Sequence, residues 1–205
     1  MTRFLAIACL LAAPLAAPAQ PAASLPADGI GPHRQSGPRI GMTYLSPGVV
    51  ARVNEGAERA GFGGRVDGDL PLVSQFGWQF EFQTFQAASG LTGVTEIVPL
   101  LTGLERGLLV PTLSFVAGLR TPGGWEAGLG PNVTVSGFRQ SETEPWTLDG
   151  DPNMTADVHV ALALVAGRNT RAGGVSVPVN AAVVLGEGGA RVSLLVGLNT
   201  SSRRY

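Results

Sequence analysis

The sequence contains no lysine, only one cysteine and very little charge. All of its basic side chains are arginines; together with the abundant alanine, glycine and proline this reads as a compositional bias. The one cysteine, Cys9, lies in an apolar leader, so a chain cut after that leader has no thiol. A disulfide framework and a thiolate metal site are thereby excluded, and Cys9 stands too early to be an acylated cysteine at the cut. Charged residues are 14% of the chain and the formal net charge is -1. No basic patch with interleaved aromatics is present, so no nucleic-acid partner is expected.

Long apolar runs are also missing. Beyond the leader no window approaches 18 consecutive apolar residues, which excludes helical membrane spans. Apolar residues nevertheless make up 44% of the chain, high for a secreted soluble domain. A β-barrel in lipid resolves the tension, because it spreads its apolar residues over alternate positions instead of gathering them in runs.

At the N-terminus, Arg3 precedes an apolar stretch over residues 4–15 that is too short to span a bilayer, and Ala17-Pro18-Ala19 supplies small residues at the positions a signal peptidase reads. Residues 1–19 are therefore expected to be a signal peptide that exports the chain. Residues 20–38, rich in Pro, Ala and Gly, read as a flexible N-terminal segment, and 39–205 as one β-barrel domain.

From residue 39 the apolar period is two. Eight strands are predicted, over 39–45, 74–85, 91–101, 108–120, 125–138, 156–167, 174–185 and 190–199, with a turn over 168–173 and a tight glycine hairpin at 186–189. The clearest is the second, where Phe76, Trp78, Phe80 and Phe82 occupy one parity while Gln75, Gly77, Gln79, Glu81 and Gln83 occupy the other. The third is ambiguous: Val94, Val98 and Leu100 oppose Leu91, Ile97 and Leu101. Between the first two strands, residues 47–60 form a short helix, with Ser46 as N-cap, Pro47 at the first helical position and Gly61 closing it; Val49, Val50, Val53 and Ala57 give it one apolar face.

Eight strands in hairpin order predict an all-β fold, an eight-stranded antiparallel up-and-down barrel, because closure removes exposed edges. So narrow a barrel has room inside for Gly, Ser, Thr, Asn and Gln, which puts the Val, Leu and Phe rows outside, where they require lipid. The two longest connections, around the helix and over 139–155, fall at the same end, the asymmetry of membrane barrels.

The polar residues expected inside are Gln75, Gln79, Glu81, Gln83, Glu126, Asn132, Asp157 and His159, with Arg120 and Arg191 as mates for the carboxylates. They read as a filled interior ahead of a narrow pore. His159 beside Asp157 has the elements of a general base, yet no serine nucleophile or Gly-x-Ser-x-Gly elbow accompanies it, so no catalytic residue, cofactor or metal is assigned. Asp149-Gly150-Asp151-Pro152-Asn153 begins like a calcium loop, but Met154 and Val160 stand where that loop needs Gly and Glu.

With its leader, eight alternating strands, glycine-rich interior face and long connections at one end, the chain over 39–199 resembles the small eight-stranded outer-membrane β-barrel proteins of Gram-negative bacteria. The block Ser74-Gln75-Phe76-Gly77-Trp78-Gln79-Phe80-Glu81 is similar to one in exported proteins of this general kind. The resemblance implies a non-enzymatic structural, adhesive or minor transport role, with outer-membrane lipid as partner alongside an unidentified surface or envelope component. Three features depart from it. Tyr205 follows Arg203-Arg204 instead of continuing an apolar row, aromatics at 6% are too few for two full girdles, and Pro99, Pro111 and Pro178 lie within strands. The alternative reading is a soluble periplasmic or secreted lipocalin-like barrel with its large apolar residues inside, binding an apolar ligand.

Overall fold

The computed structural model describes residues 34–140, 154–172 and 175–202, with side chains described over 35–135, 158–170 and 175–199. Its strands are β1 (Arg34–Leu45), β2 (Leu72–Gln86), β3 (Thr92–Thr102), β4 (Val110–Arg120), β5 (Trp125–Gln140), β6 (Met154–Ala172), β7 (Val175–Gly186), β8 (Gly189–Gly197) and β9 (Asn199–Ser202). Every pairing is antiparallel and follows chain order, and β1 pairs with β2 on one side and β8 on the other. Since β9 continues β8 in the same register, the sheet is a closed eight-stranded up-and-down barrel.

The interruption between β8 and β9 has a local cause. It falls at Leu198, opposite Pro38 in the β1 register and beside the turn of the ladder at Pro178 in β7. Proline offers no amide hydrogen, so the ladder loses rungs on both sides without any slip in register. Pro99 acts in the same way on β3: paired positions stop at Gly77↔Leu100 and resume at Phe80↔Ile97 with the register unchanged. Gly77 suits this place, because a Cβ there would lie 2.1 Å from the Pro99 carbonyl oxygen.

Two boundaries differ from the sequence reading. β1 starts at Arg34, inside the stretch whose composition suggests a lead-in, because Gln35, Gly37 and Arg39 already alternate inward against β2. β6 continues through the expected turn as far as Ala172, its last residues pairing with Val175 to Val179 of β7.

Inside and outside separate by chemistry. Val158, Val160, Leu162 and Leu164 on β6, Val192, Leu194, Val196 and Leu198 on the last strand, and Phe76, Trp78 and Phe80 on β2 are exposed on the outer face. Gln75, Gln79, Thr112, Asn132, Asn180 and Ser193 are buried within. β3 resolves its ambiguity by being apolar on both faces: Val94, Val98 and Leu100 point in, while Leu101 is exposed outside.

The helix α1 (Pro47–Arg59) leaves β1 and lies over one mouth of the barrel. Val50, Val53 and Ala57 pack on Leu45, Val73, Leu108 and Val110 from the strand ends, with Val66 from the segment that returns to β2. Asn54 holds that return segment to the helix, its amide donating to the Val66 carbonyl and its oxygen accepting the Val66 amide. Ser46 occupies the N-cap position, but its hydroxyl makes no cap; it accepts the Ala190 amide at 3.0 Å and so ties the helix start to β8. Gly61, at φ 73, closes the helix as its lack of a Cβ allows.

Candidate functional site

The interior below the helix is layered. Nearest the helix, Asn132 on β5 donates to Ser114 Oγ on β4 at 2.8 Å and accepts from Thr134 at 3.1 Å. Arg191 on β8 reaches across the lumen to the same pair, donating to Thr134 Oγ1 at 2.9 Å and to Asn132 Oδ1. Thr43 and Ser193 share a hydroxyl hydrogen bond of 2.7 Å, and Gln75 donates to Thr102 at 3.2 Å. Arg191 thus serves amide and hydroxyl oxygens, not the carboxylates its charge suggested.

Deeper, toward the end with short turns, the charged residues converge. Arg120, at the end of β4, donates through Nη1 and Nη2 to the two oxygens of Glu81 on β2, each at 2.6 Å. The same guanidinium bonds Glu126 on β5 through Nε at 2.8 Å and Nη2 at 2.6 Å. Glu96 on β3 completes the group: oxygens of Glu81, Glu96 and Glu126 all lie within 4.8 Å of one another, and all three residues are buried. Arg39 on β1 faces these carboxylates, its Nε donating to Gln79 at 2.8 Å.

Strand register explains the assembly. Glu81 and Glu96 are direct cross-strand partners, as are Arg120 and Glu126. Every one of these side chains stands at an inward parity; short hairpins set Glu81 beside Glu96 and Arg120 beside Glu126, and the pairing of β1 with β2 adds Arg39, which gathers three carboxylates and two guanidiniums in the barrel. Carboxylate oxygens this close could ligate a cation, but Arg120 already occupies both oxygens of Glu81 and one of Glu126. The group has the chemistry of an ion-pair network, with guanidiniums in the place a metal would take.

Between the two layers lies a void of about 50 Å³, bordered by Gln79, Glu96, Val98, Val116 and Asn180. That is room for a few water molecules. Buried polar atoms without a protein partner, Arg39 Nη2, Gln79 Nε2, Gln75 Oε1 and Asn180 Oδ1 among them, supply the bonds such waters need.

Of the residues that parity alone put inside, Glu81 and Glu126 meet through Arg120, Gln79 joins them through Arg39, and Gln75 and Asn132 belong to the layer above. Gln83 is half-buried on the same inward row. His159, half-buried, sits opposite Thr134 in the β5–β6 ladder. The side chain of Asp157, the 149–153 stretch, Tyr205 and the leader lie outside the described residues. Parity reading missed Arg39 and Glu96. A carboxylate in a strand that is apolar on both faces was the available signal for Glu96, since its other choice is lipid.

No family model and no curated protein matches the chain. Among solved structures, the backbone structure of the Yersinia pestis outer membrane protein Ail in a phospholipid bilayer nanodisc is similar at 10% identity and a TM-score of 0.38, covering 82% of this chain and 99% of that one.

Proposed function

We propose that this chain is an exported outer-membrane β-barrel protein with a structural or adhesive role: its strands stand in lipid, and its interior is filled and does not conduct. The observation that carries the reading is the chemistry of the outer wall. Among the strand residues whose side chains are described, one charged side chain, Arg168, stands at an outward parity, while most of the remaining outward positions are Val, Leu, Ile, Phe, Trp and Ala. A wall of this kind is stable against hydrocarbon and not against water. With β8 and β9 taken as one strand, the strands suit the task in length, from 11 residues in β3 and β4 to 19 in β6, against the roughly 9–11 that a tilted strand needs.

The helix end faces outward in this reading, since the long connections collect there and the short turns and both chain ends of the barrel collect at the other. Among the described residues, α1 seated on the apolar mouth and the ion-pair network below it fill the lumen. The surface offered outward includes, among the described residues, the exposed side of α1 and its return segment. A lipocalin-like soluble barrel needs the Phe76 row inside, and that row is outside.

Fractionation tests the reading. Expressed with its leader, the protein should stay with the membranes through carbonate and urea washes and migrate faster on gels before heating than after. Release into the soluble fraction would sink it.

A further inference from the structure

We propose that Arg168 and Trp125 form a binding site for the phosphate of a glycerophospholipid at the short-turn rim of the barrel. The inference rests on the membrane reading above. Arg168 is the one outward-facing charge among the strand residues whose side chains are described, and it is exposed. It lies directly across the β5–β6 ladder from Trp125, whose ring is 60% exposed, and its guanidinium stands over that ring, 5.3 Å from the centroid. No carboxylate pairs with it among the described residues, whereas Arg120, two strands away and facing inward, is fully engaged. A guanidinium on the lipid side with no protein counter-ion needs an anion from the lipid itself.

The position fits that anion. Above the pair the outer wall is hydrocarbon-like, through Ala127, Ala166, Leu129 and Leu164; below it come Thr170 and the Thr121 to Gly124 turn. Trp125 and Arg168 therefore stand where apolar wall gives way to polar rim, the level of lipid headgroups. Indole prefers that level, and an arginine held flat on it keeps its outer N–H groups free to fork onto two phosphate oxygens. Three alanines, Ala127, Ala166 and Ala181, sit side by side across β5, β6 and β7 just above, and leave a shallow trough for an acyl chain beneath that headgroup.

The test uses the full chain refolded into phosphatidylcholine vesicles doped with phosphatidylglycerol, then released for native mass spectrometry. Vesicle flotation comes first; failure of the wild-type barrel to float with lipid would defeat the membrane reading, and this proposal with it. With insertion shown, wild type should retain one glycerophospholipid, phosphatidylcholine or phosphatidylglycerol since both carry the phosphate, and Arg168→Gln should retain it about fivefold less, the effect of one arginine at a lipid surface. Arg168→Lys should keep part of that retention, and Arg65→Gln, at the opposite end, all of it. Equal retention by wild type and Arg168→Gln would overturn the site, as would equal retention of diacylglycerol, which lacks the phosphate. Displacement by inorganic phosphate would assign the site to a soluble anion and overturn the lipid source. Unchanged heat-modifiable migration of Arg168→Gln separates loss of the lipid from loss of the fold.

Discussion

Arg120 and Glu81 meet in a two-pronged ion pair inside the barrel, both contacts at 2.6 Å between residues 39 positions apart in the chain. The side chains are 11% and 2% exposed, so neither charge is screened by solvent. The same guanidinium holds Glu126, which makes Arg120 the hinge of the whole charged layer.

Removing that guanidinium should be costly. Arg120→Met leaves three buried carboxylates facing Arg39 alone, and the expected loss is about 3–5 kcal/mol, the usual penalty for a buried charge stripped of its partner. Denaturant unfolding of the refolded barrel in detergent or lipid measures it. Adding Glu81→Gln and Glu126→Gln to the same variant should recover much of the loss; no recovery would show that packing and not charge is at stake.

Charge on the outer wall should cost in proportion to depth. Leu164, exposed at the middle of β6, should lose about 2–4 kcal/mol as Leu164→Arg, and Val158, toward the helix end of the same strand, distinctly less as Val158→Arg. Equal penalties at the two depths would argue against a bilayer around this wall.

The protein should not conduct ions in planar bilayers, and breaking the cap with Val53→Asp should leave it closed. Val53 is 8% exposed in the apolar cluster under α1, so the carboxylate displaces the helix, but the Asn132–Arg191 layer and the ion-pair network still fill the lumen. Ohmic current from the variant would place the only seal at the helix.

Acid should loosen the β3–β4 connection before the barrel. Partial desolvation works to raise the Glu105 carboxyl, but the hydroxyl and amide of Ser74 together outweigh it and hold this carboxyl below the ordinary range. A carboxylate lowered in the folded state stabilises above its unfolded value, near 4.3, and loses that contribution as pH falls through its own lower value. The difference in unfolding midpoint between wild type and Glu105→Gln should be steady near neutrality and shrink below about pH 4.

Parity was the legible part of this fold. Strong alternation on β2 told Gln75, Gln79 and Glu81 from Phe76, Trp78 and Phe80 without any knowledge of neighbours, and the same logic gave strand count and order. What period two could not supply was height: two inward residues on different strands meet only if register and stagger bring them level, and those depend on the hairpins and the barrel's tilt. Hence Arg120 could be proposed as a mate for Glu81, while Arg191 could not be told from it. Arg39 was passed over because it opens the predicted strand 39–45, where one residue beside a stretch read as linker shows no alternation of its own, although proline at a ladder gap is compatible with a strand and lets β1 begin earlier. The side-chain role of Ser46 was equally out of reach, since its partner, Ala190, lies 144 residues away.

Closure of the ring joins the earliest strand to the latest, as in the Thr43–Ser193 hydrogen bond spanning 150 residues. Seven strands can pair through hairpins as they arrive, but β1 keeps an open edge until β8 is present. A chain crossing the envelope unfolded is therefore vulnerable for nearly all of its length, and a lesion confined to the final strand should cost the protein its insertion altogether and leave an edge for other chains to join.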